Sequence, residues 1–198
     1  MSEPTLQDLS QGSQKSEKSR HLGRDLFEIV KVFLVSLAIV LPIRYFIVQP
    51  FIVRGASMEP SFENKEYLII DEFSYYLRTP ERGEAIVFRY PKDPRQFFIK
   101  RIIGLPGEEI KIEEGGIYIY NEENSKGLLL EESYLNPLNR PTRPDISLKL
   151  GRDEYFVLGD NRDFSSDSRV WGVLNRDFII GRVLLRAWPL QRFGVIAE

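Results

Sequence analysis

Residues Leu26 to Val48 read LFEIVKVFLVSLAIVLPIRYFIV, an apolar run that constrains the chain more than any other stretch. At about 1.5 Å per residue a helix over it spans about 34 Å, against a bilayer hydrocarbon core of about 30 Å. The uninterrupted part is Val32 to Ile43, and Glu28, Lys31 and Arg44 lie near its ends, where long side chains can reach the interface. The sequence thus predicts one N-terminal transmembrane helix, a signal anchor over 25–49. A cleavable leader and a buried soluble helix are the competing readings. The nearest small-residue site, Val53-Arg54-Gly55, lies well beyond the apolar part, which disfavours cleavage. Lys15, Lys18, Arg20 and Arg24 precede the run, whereas only Arg54 and Lys65 follow it closely. That bias predicts a single-pass protein of the cell membrane with its N-terminus cytoplasmic and residues 50–198 extracytoplasmic. Residues 1–24, polar and rich in Ser, Gln, Glu and Lys, read as a cytoplasmic disordered tail.

Beyond the run the pattern is that of strands. Short segments rich in Val, Ile, Phe and Tyr alternate with Gly, Pro and Asp: 67–73, 84–90, 96–104, 108–112, 116–120, 154–159 and 178–188. Glu113-Glu114-Gly115-Gly116 reads as a hairpin turn. No long amphipathic helical period separates the strands, so the expected fold is mainly β, an antiparallel sheet without βαβ crossovers. Residues 121–153, polar and proline-bearing, read as a loop or small excursion on that core.

Composition narrows the chemistry. The chain has no cysteine and one histidine, His21, in the N-terminal tail. Disulfides, thiol nucleophiles and cysteine metal sites are excluded, and a Ser-His-Asp triad would need the tail to fold back. A net charge of −2 leaves no basic footprint for nucleic acid. A hydrolase here must use a hydroxyl with an amine, paired carboxylates, or a bound ion.

Three segments offer candidates. In FIVRGASMEPSF (51–62), small residues surround Ser57 at the end of an apolar strand; alone, this is also what an ordinary turn looks like. In FFIKRII, period-2 alternation puts Phe98, Lys100 and Ile102 on one face and Phe97, Ile99, Arg101 and Ile103 on the other. A lysine so flanked is either a desolvated amine with a depressed pKa or an edge-strand lysine that blocks aggregation. In GDNRDFSSDSRVWG (159–172), Asp160, Asp163 and Asp167 could form a cation site or a carboxylate pair. Arg162 and Arg169 among them favour internal pairing instead, and no metal or cofactor is expected.

Together these segments resemble bacterial-type signal peptidase I. SMEP matches the family's serine box, RGEAIVFRYP with FIKRIIGLPGE (82–108) is similar to its lysine box, and 159–172 resembles its aspartate-serine box. The RAWPLQRFG ending (186–194) looks like that of cyanobacterial or thylakoid members. The resemblance implies a membrane-bound serine endopeptidase that removes signal peptides from exported preproteins, with the lipid bilayer as its setting. It implies Ser57 as nucleophile and oxyanion donor, Lys100 as general base, and Ser165 as the hydroxyl orienting the amine. It further implies Asp160 with Arg101 and Asp167 with Arg169 as structural pairs. Phe51, Val53 and Ile99 match positions lining pockets for small substrate side chains. One departure stands out: many Gram-negative members carry a serine two residues before the nucleophile, where this chain has Gly55. A self-cleaving repressor of the same Ser/Lys type, or a membrane-tethered β module that only binds, are the alternative classes. The first should carry a DNA-binding region that this chain lacks, and the second needs neither Ser57 nor Lys100.

Overall fold

The computed structural model describes residues 27–40, 48–135 and 142–196. The chain divides into two compact units, Met1–Tyr45 and Phe46–Glu198. In the first, residues 27–40 form helix α1. These 14 residues cover about 21 Å. The expected anchor is therefore corrected: among the described residues no helix is long and apolar enough to cross a membrane. Glu28 and Lys31 fall inside the described helical segment and interrupt its apolar character. The single-pass topology, with a cytoplasmic N-terminus and an extracytoplasmic domain, loses its basis with it. The tail over 1–24 and the segment around Pro42 and Arg44 lie outside the described residues.

The second unit is mainly β and antiparallel throughout. Its larger sheet contains β1 (Val48–Ile52), β2 (Tyr67–Asp71), β3 (Ala85–Tyr90), β4 (Asp93–Gly104), β9 (Glu154–Leu158), β10 (Leu174–Asn175), β11 (Ile179–Trp188) and β12 (Gly194–Val195). Their order is β1-β2-β11-β3-β4-β9-β10, with β12 paired to β11, so β1 forms one edge. The smaller sheet orders β7 (Leu128–Leu129), β6 (Gly116–Tyr120), β5 (Glu109–Glu113) and β8 (Ile146–Lys149) as β7-β6-β5-β8. Two one-turn α-helices, α2 (Ser74–Leu77) and α3 (Ser168–Trp171), and three 3-10 turns at Arg162–Phe164, Arg176–Phe178 and Leu190–Arg192 are also described in this unit.

The hairpin between β5 and β6 follows from its turn residues. Glu114 and Gly115 both take positive φ, 50° and 83°, and Glu113 pairs with Gly116 across them. This is the two-residue loop whose twist matches that of the strands it joins. The segment 121–153 is more than a loop, because it contributes β7 and β8 to the smaller sheet.

Apolar alternation sets the core. Val53, Met58, Phe62, Leu68, Ile70 and Val87 form one cluster, with Ile99 packed against it. Ile86, Phe88, Ile102, Tyr155 and Val157 form a second that takes in Phe98. Strand β4 thus buries both faces of its second half, and any residue there, polar or not, is withdrawn from water. A third cluster joins Ile110, Ile112, Ile117 and Ile119 of the smaller sheet to Ile103, Phe156 and Leu158 of the larger one.

Candidate active site

The ladder begun by β1 runs on to Val53, whose N–H donates to the Glu66 carbonyl and whose carbonyl accepts from the Lys65 N–H, both at 2.9 Å. The chain then turns. Gly55 has φ of 90°, a conformation that costs any residue with a Cβ, which accounts for glycine at this position. Its N–H donates to Asn64 Oδ1 at 3.2 Å. Ser57 follows two residues later in the turn. Asn161 ties this turn to the 159–172 loop: its N–H donates to the Ser57 carbonyl and its Nδ2 to the Ala56 carbonyl, each at 3.1 Å. The approach is close enough to exclude a side chain at Gly159. A Cβ there would lie 2.2 Å from Ser165 Oγ and 2.4 Å from the Ser57 carbonyl oxygen.

Lys100 reaches the same place from β4, where it pairs with Ile86 of β3. It is 4% exposed. Its Nζ lies 2.7 Å from Ser57 Oγ and 2.8 Å from the Ile99 carbonyl, 5.5 Å from the centre of the Phe98 ring. Burial lowers its pKa from 10.5 to about 8, because the ammonium form loses its hydration. The carboxylates of Asp167 and Asp160 pull the other way.

Those carboxylates are themselves engaged. Asp160 takes Arg101 in a bidentate pair, with Nε to Oδ1 at 2.9 Å and Nη2 to Oδ2 at 2.7 Å, both side chains buried. Asp167 takes Arg169 at 2.8 Å on each oxygen and also accepts the Gly159 N–H at 3.1 Å. Arg162, fully buried, donates to the Gly159 carbonyl at 3.0 Å and pairs with Glu132 and Thr142. Tyr134 donates to Glu132 at 2.6 Å and stacks under Arg101, and burial pushes its phenol pKa up. Sequence reasoning missed Glu132, Tyr134 and Thr142; they lie 20 to 30 residues from Arg162 in a stretch with no strand-like period. Ser165 Oγ is buried without a hydrogen-bond partner. Asp163 is exposed. Among the described residues, no group of three or more carboxylates or histidines could hold a metal ion.

Ser57 and Lys100 open onto a cleft of about 790 Å³ between the β1 edge and residues 95–100. Phe51, Val53, Ile99, Leu68 and Val87 supply its apolar lining. Phe51 meets Phe97 edge to face at 5.6 Å. The structure therefore brings Ser57, Lys100, Phe51, Val53 and Ile99 together around one opening. Asp160, Arg101, Asp167 and Arg169 sit outside its lining, in the packed loop.

The family model for signal peptidase, peptidase S26, matches residues 26–188. The chain belongs to that family. A Synechocystis sp. relative described as "Probable signal peptidase I-2" is 36% identical over 86% of this chain and 77% of its own length. Signal peptidase I of Leptolyngbya laminosa is 37% identical over 85% of this chain and 83% of its own length. The crystal structure of a signal peptidase I from Enterococcus faecalis V583 is similar with a TM-score of 0.46 and 31% identity, over 54% of this chain and 97% of that one. Membership in the signal peptidase family carries hydrolase activity of the serine-peptidase kind.

Proposed function

We propose that the chain cleaves signal peptides from exported preproteins through a Ser57/Lys100 dyad, with residues 50–198 as the peptidase portion. The observation that carries this reading is the 2.7 Å approach of the Lys100 amine to the Ser57 hydroxyl inside a lysine environment that favours the neutral amine. A neutral amine has a lone pair. Ser57 Oγ attacks the scissile carbonyl as its proton passes to Nζ, and the resulting ammonium returns that proton to the leaving amine. The products are the departed peptide with a free amine and an ester on Ser57. Water, activated in the same way by the amine, then hydrolyses the ester and restores both residues.

The carbonyl oxygen becomes an oxyanion in each half-reaction, and the Ser57 N–H is the donor assigned to it. Gly55 brings no side-chain donor, so a second one must be a backbone N–H or water; each such donor is worth about 2.7 to 4 kcal/mol in a hydrolase. Ser165 is assigned to orienting the amine. Its hydroxyl is buried, makes no hydrogen bond, and crowds the same Gly159 as the Ser57 carbonyl, while the amine is held by Ser57 Oγ and the Ile99 carbonyl.

Substrate binding follows from the free edge at β1. An extended peptide can add there as a further strand, its backbone recognised by the ladder and its alternate side chains entering the cleft. Phe51, Val53 and Ile99 leave room for small side chains at the first and third residues before the cut. The test is cleavage of a preprotein by the detergent-solubilised full chain. Ser57→Ala and Lys100→Ala should each lower kcat by on the order of 10⁴-fold, and the double change should cost no more than either alone, because the two act as one unit. Turnover by Lys100→Ala near that of the unaltered protein would refute the dyad.

A further inference from the structure

The charges along the cleft are of one sign. Arg54, Arg95 and Lys100 line it and no aspartate or glutamate does, although the whole chain carries a net charge of −2. Lys100 is 4% exposed, and its amine is engaged by Ser57 Oγ and the Ile99 carbonyl. Arg95 is held by Asp93, with Nε to Oδ1 at 2.8 Å and Nη2 to Oδ2 at 3.0 Å, so its charge is largely met. Arg54 is exposed, and among the described residues it forms no ion pair with a carboxylate. Among the described residues it is the arginine of this cleft without a carboxylate partner.

Its position on the strand says which substrate residues it can meet. Phe51 and Val53 share one side of the extended segment: Val53 is buried in the first core cluster and Phe51 packs against it. Ile52 and Arg54 are both exposed, on the alternate side. A peptide added to this edge alternates in the same way. If its first and third residues before the cut face the Phe51 and Val53 pockets, the second residue before the cut and the first after it share the side of Arg54.

We propose that Arg54 is a specificity-determining residue that selects substrates with an acidic side chain next to the small residue at the cut. This rests on the peptidase reading above and deepens it: small pockets choose the first and third residues, while Arg54 discriminates between their neighbours by charge. The preference depends on salt, since an exposed pair is screened over a Debye length of about 8 Å at physiological ionic strength.

The experiment uses the full chain in detergent and a set of preprotein-derived peptides identical except at those two positions, each filled in turn by Asp, Asn or Lys. The readout is the ratio of kcat/KM between Asp and Asn peptides, and between Asn and Lys peptides, within each enzyme, so that loss of overall rate in a variant cancels. For the unaltered chain, Asp should exceed Asn at one or both positions by roughly two- to five-fold, the size of an exposed ion pair. Lys should fall below Asn by a similar factor. Arg54→Glu should invert both ratios, Arg54→Gln should bring them to one, and Arg54→Lys should largely keep them. Raising the salt to 1 M should collapse them in the unaltered chain. Ratios of one at both positions in the unaltered chain, with all peptides cleaved, would overturn the role of Arg54 and leave the peptidase reading standing. Ratios that persist in Arg54→Gln would overturn it as well. Failure to cleave any peptide or the parent preprotein would overturn the peptidase reading and the preference together.

Discussion

Replacing Lys100 by methionine should make the protein inactive and, at neutral pH, more stable. Methionine keeps the length and flexibility of the side chain without its charge. The lysine is 4% exposed, and its pKa falls from 10.5 to about 8. That fall means the folded protein holds the ammonium at a disadvantage of about 3 kcal/mol relative to the unfolded chain. Methionine removes the penalty but leaves the Ile99 carbonyl and the Ser57 hydroxyl without the amine. Two hydrogen bonds at about 1 kcal/mol each offset part of the gain. The variant should therefore be about 1 to 2 kcal/mol more stable at pH 7.

The pH dependence separates this account from a packing effect. Between pH 8 and 10.5 the unfolded chain binds the Lys100 proton and the folded one does not, so the stability of the unaltered protein rises with pH across that window. Below pH 8 both states hold the proton and the penalty is complete. Urea unfolding of both proteins at pH 7 and pH 10 reads the difference directly. The advantage of the variant at pH 7 should shrink or reverse by pH 10, a swing of about 2 to 3 kcal/mol. The same lysine sets the activity profile: kcat/KM of the unaltered protein should rise through an apparent pKa near 8. An equal stability difference at the two pH values, or a rising limb near 10.5, would show a hydrated lysine and refute the reasoning.

Lys100→Arg should be inactive across the pH range, because a guanidinium does not give up its proton in a protein; a pH profile showing a restored alkaline limb would contradict this. Gly159→Ala should lose activity and stability together, since its Cβ would sit 2.4 Å from the Ser57 carbonyl oxygen; thermal melting and preprotein cleavage measure both. Asp160→Ala removes the carboxylate that a buried Arg101 holds in a bidentate pair and should cost about 3 to 5 kcal/mol, read by denaturant unfolding.

What was legible in the sequence was local. Alternation in FFIKRII placed Phe98 and Ile102 beside Lys100, and the same period, covered on both sides by core clusters, is what dries the amine. The β5–β6 turn was readable because Glu114 and Gly115 need positive φ and the residue types allow it. The seven apolar runs correspond to β2, β3, β4, β5, β6, β9 and β11, because strands of five residues or more repeat the period often enough to register. The smaller sheet was hidden for the opposite reason: β7 has two residues and β8 four, too few to stand out in a proline-bearing stretch.

The expectation over 25–49 rested on the length of an apolar run, whereas among the described residues no helix is long and apolar enough to cross a membrane, with Glu28 and Lys31 inside the helical segment. Composition alone left Asp160, Asp163 and Asp167 as candidates for an ion site; the pairs Asp160 with Arg101 and Asp167 with Arg169 came from the family resemblance, and the fold sets Arg101 of β4 2.7 Å from Asp160 and Arg169 2.8 Å from Asp167. The carboxylates of Asp167 and Asp160 pull the Lys100 pKa upward, but burial of the amine outweighs both, so it still falls from 10.5 to about 8.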